Sequence, residues 1–304
     1  MHSEPKPYLG GLAIYASFAA AVAVTGGLAN RGIQGILIGG LLIVALGIVD
    51  DIYGLSAKWK LLGQIGIAAI LVMSYGVRIE WVTNPWGGFF YLRSWSIPLT
   101  IFWIVAVVNV VNLIDGLDGL AAGISSIASL TLLLVALQAD QPNTVLLTAA
   151  LAGSALGFLR YNFNPAKIFM GDAGAMFLGY ALAAVSVEGL VKTAATVSLV
   201  VPVVALGLPI FDTSFAILRR AMSGRPIHEA DKDHLHHRLL KMGLSHREVV
   251  LVMYGISGWL GLSAIALVEL NPLQGGLILG FVALSMLFGA KKVGVLDIKI
   301  NRKH

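Results

Sequence analysis

The residues best placed to do chemistry lie between Asn109 and Leu120, in NVVNLIDGLDGL. Here Asn109, Asn112, Asp115 and Asp118 recur at three-residue intervals, directly after the apolar run IFWIVAVV. A carboxylate at mid-bilayer costs on the order of 2.5–3.5 kcal/mol on insertion scales, and ionisable groups within membranes mark sites or pathways. The stretch is therefore expected at a membrane edge and in a reaction centre. Residues three apart are neighbours on a helix, but nine residues carry a helix through about half a circle. Asn109 and Asp118 can face one site only if the chain turns between them, and Gly116 and Gly119 permit such a turn.

Other polar clusters also end apolar runs. Asp50 and Asp51 close LIVALGIVDD, and Asn162, Asn164, Lys167 and Asp172 lie in RYNFNPAKIFMGDAG. Asp212 lies in LPIFDTSF, and His234, His236 and His237 in DKDHLHHRLL. Adjacent Asp50 and Asp51 either simply end a span, or one meets a metal or proton while the other orients it. The DGLDG stretch is either a plain turn or part of the site, and the histidines either a solvated basic loop or a source of imidazoles at cytosolic pH. Hard oxygen ligands with Lys, Arg and His nearby suit Mg²⁺ or Mn²⁺ holding a phosphorylated substrate. Zinc is disfavoured, because the chain has no cysteine and no HExxH. A divalent ion would neutralise phosphate oxygens while a carboxylate accepts a proton from, or orients, the attacking group. The pattern points to an enzyme that moves a phosphorylated group from a soluble donor to a membrane lipid. An ion-coupled transporter would also bury Asp and Asn, but near mid-bilayer in broken helices.

The elements that must position these residues are membrane spans. Apolar residues make up 57% of the 304 and charged residues 12%, against about 45–50% and about 25% in soluble domains. Ten segments approach the roughly 20 apolar residues that a span needs: about 9–29, 33–49, 59–77, 97–114, 117–138, 143–160, 173–189, 194–218, 248–269 and 273–290. The expected fold is an all-α polytopic membrane protein, a single integral-membrane domain over residues 1–304. Alternating sides along the chain puts 17 of the 21 Lys and Arg residues in one set of loops, which identifies that set, and both chain ends, as cytosolic. The net charge of +5 is then an orientation signal, and no nucleic-acid partner is expected. Residues 78–96 crowd Trp81, Trp86, Phe89, Phe90, Tyr91 and Trp95 around Pro85, Gly87 and Gly88, as expected of an aromatic belt on a short outer hairpin. Pro202 and Pro209 should bend the eighth span, and the tail KKVGVLDIKINRKH should be solvated and touch lipid headgroups.

The blocks PYLGGLAIY, GIVDDIYGLSAKWKLLGQ, NVVNLIDGLDGLAAG, FNPAKIFMGDAGAMFLGY, PIFDT and RPIHEADKDHLHHRLL resemble, in order, those of the polyprenyl-phosphate N-acetylhexosamine-1-phosphate transferases. These are relatives of phospho-N-acetylmuramoyl-pentapeptide transferase. The resemblance implies Mg²⁺-dependent reaction of UDP-N-acetylglucosamine with undecaprenyl phosphate at the cytosolic face of the bacterial inner membrane. UMP would be released, and a homodimer is implied. It assigns Asp172 and Asn112 to the metal. Asp50 or Asp51 would act on the lipid phosphate, Asp115 and Asp118 on the nucleotide end or metal shell, and Phe169 would lie against the uracil. His236 would meet the donor diphosphate with His234, His237 and Arg238 in support, and Lys60, Asn109, Asn164 and Lys167 would complete substrate binding. The muramoyl-pentapeptide enzyme is the nearest alternative, set lower because Arg238 stands where that subfamily would have a third consecutive histidine. Two features depart from the family. GDAGA replaces the usual GDTGS, so Ala173 and Ala175 lack hydroxyls beside the presumed metal ligand. The chain also starts at the PxxGG block, where relatives usually carry a further span first, so a native first helix is expected to be missing.

Overall fold

The computed structural model describes residues 7–83, 88–189, 200–222 and 234–294. The first helices are α1 (Gly10–Val24), α2 (Arg31–Tyr53) and α3 (Ala57–Tyr75), followed by the strands β1 (Trp81–Thr83) and β2 (Phe89–Tyr91). Then come α4 (Ser96–Ile114), α5 (Leu120–Gln138), α6 (Pro142–Asn162), α7 (Gly171–Glu188), α8 (Val200–Ala205) and α9 (Gly207–Met222). The short α10 (Leu235–Lys241) precedes α11 (His246–Ala266) and α12 (Pro272–Lys292). Among the described residues seven helices are long and apolar enough to cross a membrane: α2, α3, α4 with the turn before it, α5, α6, α11 and α12. Seven of the ten expected spans thus coincide with such helices, and the other three differ in form. The first is the 15-residue α1, the seventh is the enclosed α7, and the eighth is divided between α8 and α9 at Leu206.

Local chemistry sets several boundaries. The Asn30 side chain accepts the Ile33 amide at the start of α2, and Gly54, with φ 65°, ends it in the left-handed conformation. Capping boxes, Ser245 with Glu248 and Asn271 with Gln274, begin α11 and α12. The α8–α9 interruption sits where Pro209 withholds the amide that would have bonded Ala205, which is the effect expected of that proline. The aromatic hairpin expected on the outer side forms: β1 and β2 pair antiparallel with Trp81 opposite Tyr91, and Phe90, Tyr91 and nearby Trp95 are exposed. Asn84 to Gly87, with Pro85 and Trp86, lie outside the described residues. So do residues 223–233 of the basic loop and 295–304 of the tail.

The bundle is built around α7. Every residue from Ala173 to Glu188 is buried, and α1, α2, α4, α5 and α6 all pack against it. Close approach by α2 needs a missing side chain, because a Cβ on Gly47 would stand 2.3 Å from the Ala173 Cα. The central helix therefore meets its neighbours nearly backbone to backbone, as small residues allow in membranes. Its N-terminus is held at the same end of the bundle as the C-termini of α2, α4 and α6 and the N-terminus of α3.

Candidate active site

Asp50, Asp51, Asp115, Asp118, Asp172 and Phe169 line a single cavity of 480 Å³ together with Tyr8, Asn162 and Gly171. The residues come from four stretches far apart in sequence, the first being Tyr8 ahead of α1. Asp50 and Asp51 end α2, Asp115 and Asp118 lie in the α4–α5 turn, and Phe169 and Asp172 flank the start of α7. That turn bends as Gly116 and Gly119 predicted: α4 stops at Ile114, and Gly119 adopts φ 82° immediately before α5.

Asp172 is the hub. Its Oδ1 accepts the Asn112 amide at 2.7 Å, and its Oδ2 pairs with the Lys60 ammonium at 2.7 Å. Lys60 also contacts Asp50 Oδ2, while Asp50 Oδ1 accepts the Leu55 amide at 2.8 Å. Asp51 does something different. Its oxygens accept the backbone amides of Asp172 at 2.8 Å and Ala173 at 3.3 Å. The residue before α7, Met170, offers no side-chain cap, so Asp51 caps α7 from another helix. Gly171 lets it reach there, because a Cβ at that position would lie 2.4 Å from Asp51 Oδ2 and the backbone has φ 67°.

Asp118 is tied to the chain ahead of α7, accepting the Asn164 amide at 3.2 Å and the Ala166 N–H at 3.0 Å. Asn162, which the sequence reading left without a role, clamps the same turn by accepting the Gly119 amide at 3.0 Å and donating to Ile168 O at 3.0 Å. Phe169 and Tyr8 stand ring against ring at 5.5 Å on the rim. Burial first, then the charges of Asp172, Asp51 and Asp118, push the Asp115 carboxyl up to about 7.

The histidines occupy α10 rather than an irregular loop. His236 is 1% exposed, neither ring nitrogen has a hydrogen-bond partner among the described residues, and Nε2 lies 2.7 Å from where a Cβ on Gly116 would be. Gly116 lines the acidic cavity, so His236 backs directly onto it. Burial, then His237, depresses His236 to about 4, with Asp212 opposing and His234 adding to the shift. His234 does not line the cavity: its Nδ1 is 2.9 Å from Asp212 Oδ2, and the Leu235 amide donates to Asp212 Oδ1 at 2.8 Å. Asp212 thus anchors the start of α10. The His237 ring lies 4.2 Å from that of His236, tilted by 42°, and Arg238 donates to Gly294 O.

Several residues expected to touch substrate are placed elsewhere. Asn109 bonds Gln64 Oε1 at 2.6 Å and Val105 O at 2.8 Å inside the helix interface. Asn164 is engaged by Asp118 and by Arg247, which donates to its backbone oxygen at 3.0 Å. Lys167 is exposed and does not line the cavity. Gln64, a single amide in the middle of an apolar segment, gave no periodic signal and was missed. Among the described residues no three Asp, Glu or His side chains stand close enough to hold a metal by themselves.

A membrane-length helical bundle whose helix ends converge on an acidic cavity beside a half-buried lysine and a buried histidine is the framework of a polytopic membrane enzyme, and its family and relatives make it a sugar-1-phosphate transferase. The chain belongs to glycosyl transferase family 4, which matches residues 33–190 and so takes in every acidic residue of the cavity. It is 42% identical to the probable undecaprenyl-phosphate N-acetylglucosaminyl 1-phosphate transferase of Bacillus subtilis (strain 168), over 88% of this chain and 75% of that protein. It is 38% identical to the decaprenyl-phosphate N-acetylglucosaminephosphotransferase of Mycobacterium leprae (strain TN), over 94% and 79%. It is 35% identical to the phospho-N-acetylmuramoyl-pentapeptide-transferase of Moorella thermoacetica, over 74% and 73%.

Proposed function

We propose that this protein transfers N-acetylglucosamine 1-phosphate from UDP-N-acetylglucosamine to undecaprenyl phosphate or a related polyprenyl phosphate, releasing UMP. In this reaction an acceptor phosphate oxygen forms a bond to the sugar-linked phosphorus, and the bond from that phosphorus to the UMP oxygen breaks. The observation that carries the reading is the convergence of five carboxylates and Lys60 on one cavity at the Lys/Arg-rich end of the bundle. The names of two relatives that match over most of the chain support the sugar and the lipid. Positive-inside asymmetry supports a site at the cytosolic face of the inner membrane, where a nucleotide sugar and a lipid headgroup can meet, and the reaction would then be the first lipid-linked step of a cell-envelope glycan.

An acidic cavity repels a diphosphate unless a cation stands between them, which argues for Mg²⁺, with Mn²⁺ as a substitute. Mg²⁺ is commonly held by one or two carboxylates plus water and substrate phosphates, so the want of a three-acid cage among the described residues fits it. Asp172 and Asn112 would hold it, with Asp115 and Asp118 in the surrounding shell. The ion would neutralise phosphate oxygens when bound. A phosphate monoester is already largely dianionic at neutral pH, its second pKa being about 6. The acceptor thus needs orientation more than deprotonation, and Lys60 with Asp50 and Asp51 stands where it could be oriented. His236, neutral and buried beside Gly116, offers a ring nitrogen to the donor diphosphate.

The test is UMP release by purified protein given undecaprenyl phosphate and a panel of UDP-sugars. Turnover with UDP-N-acetylglucosamine is expected. Turnover only with the UDP-muramoyl-pentapeptide donor would replace the proposed sugar, and no UMP from any donor would end the reading.

A further inference from the structure

Lys60 on α3, Asn112 on α4 and Asp172 on α7 form one polar layer at the cavity end. One turn deeper the same three helices meet again through Gln64, Asn109 and Met176. Asn109 Nδ2 donates to Gln64 Oε1 at 2.6 Å, and Gln64 Nε2 donates to Met176 Sδ at 3.3 Å. The offsets are four residues on α3, three on α4 and four on α7, one helical turn each. We propose that Gln64 and Asn109 are positioning residues that fix the depth and rotation of Lys60 and Asn112 around Asp172, with no contact to substrate. The proposal rests on the transferase reading above and adds to it the device that sets its geometry.

The packing of α3 shows why such a device is needed. Its buried residues are Gln64, Ile67, Ala68, Leu71 and Val72, so Gln64, 1% exposed, is the first buried residue along the helix. Everything from Ala57 to Gly63, Lys60 included, lacks a buried anchor on α3 itself. Apolar contacts are non-directional and leave a helix free to rotate by small angles, whereas a hydrogen bond between two short amides does not. Asn109 is held in turn by its own helix through Val105 O at 2.8 Å. Neither amide lines the acidic cavity, so the role expected for Asn109 from its spacing changes from contact to placement.

The experiment compares wild type with Gln64→Met, Asn109→Leu, the double variant, and the exchanged pair Gln64→Asn with Asn109→Gln. Met and Leu keep volume and suit an apolar interior while removing the amide contact. Each single variant is expected to lower kcat about tenfold or more, since small misplacements in active sites are costly, with KM for donor and acceptor within about twofold. The double variant should be no worse than the poorer single one, as for residues in contact, and the exchanged pair should regain most of the rate. A second readout does not need activity. The sequence has no cysteine, so spin labels at Lys58→Cys and Leu113→Cys report the α3–α4 distance, which should broaden in Gln64→Met and narrow again in the exchanged pair. An unchanged distance distribution in Gln64→Met, or a raised donor KM in Asn109→Leu alone, overturns the proposal. Absence of UMP release by wild type would instead remove the transferase reading, and the label distances would still decide the placement.

Discussion

Asp51, at the end of α2, serves as the N-terminal cap of the helix that carries Asp172: its carboxylate receives the Asp172 amide at 2.8 Å and the Ala173 amide at 3.3 Å. The residue proposed to orient the acceptor is thus also the one that aims the proposed metal ligand. Asp51→Ala removes both acceptors and is expected to cost about 1 kcal/mol of stability, as for other caps. Transfer should fall about 100-fold through misplacement of Asp172. Asp51→Asn keeps one acceptor oxygen and should fall between wild type and Asp51→Ala. Equal rates for Asp51→Ala and wild type in the UMP assay would show that the cap has no part in placing Asp172.

The approach of α2 to α7 makes a paired prediction about glycine. At Gly47 a methyl group would meet the Ala173 backbone at 2.3 Å, and at Gly66 nothing lies within 4 Å. Gly47→Ala should therefore lower stability by about 1–3 kcal/mol and shift both Asp51 and Asp172. Gly66→Ala should be neutral or raise stability by about 0.5–1 kcal/mol. Detergent melting curves of the two variants, side by side, provide the check.

Chelation tests the cation. EDTA should stop UMP release, and Mg²⁺ or Mn²⁺ should restore it. Asp172→Asn should abolish transfer while the protein still elutes as a folded species. Full activity in EDTA would mean that the five carboxylates meet the diphosphate unaided, and the assignment of Asp172 and Asn112 would fall.

His236 makes stability depend on pH in one window. Its folded pKa is about 4, and an exposed histidine titrates near 6.5. Below pH 6.5 the unfolded chain takes up a proton that the folded chain refuses until about pH 4. Stability is thus lost as pH falls across that interval and is untouched above it, by up to about 3 kcal/mol in all. The comparison is the change in melting temperature between pH 7 and pH 5 for wild type and for His236→Asn. The variant should show the smaller drop, and identical drops would mean that the ring is already protonated or exposed.

Orientation can be read directly. A single cysteine placed at Lys58 should react with an impermeant maleimide only from the cytosolic side, and one at Tyr91, on the exposed outer hairpin, only from outside. The reverse pattern would invert the bundle and put the cavity on the wrong side for a nucleotide sugar.

Much of the site was legible because a carboxylate that closes an apolar run is conspicuous. Asp50, Asp51, Asp115 and Asp118 announce themselves that way, Asp172 opens an apolar helix instead and is marked only by its motif, and all five reach the cavity. Pairings across helices were not legible, because hydropathy encodes depth along a helix axis but not rotation about it. That is why Asn109, at regular spacing with Asn112, turns out to face Gln64, and why His234 is held by Asp212 while its neighbour His236 reaches Gly116. The central place of α7 was hidden for a related reason. Among the described residues seven helices satisfy the length and apolarity of a span, and this one is not among them, since Asp172 and Glu188 at its ends lower its mean hydropathy.

The enclosure of α7 bears on how the protein is made. A segment bounded by Asp172 and Glu188 is a poor candidate for leaving the translocon into lipid alone, and its buried surface is matched to helices synthesised before it. Insertion of α7 must wait for at least α1, α2 and α4 to gather, so biogenesis of the bundle and assembly of its reactive end are a single event. Partly inserted chains would then carry no partial activity, and quality control in the cell would meet either a finished enzyme or an inert one.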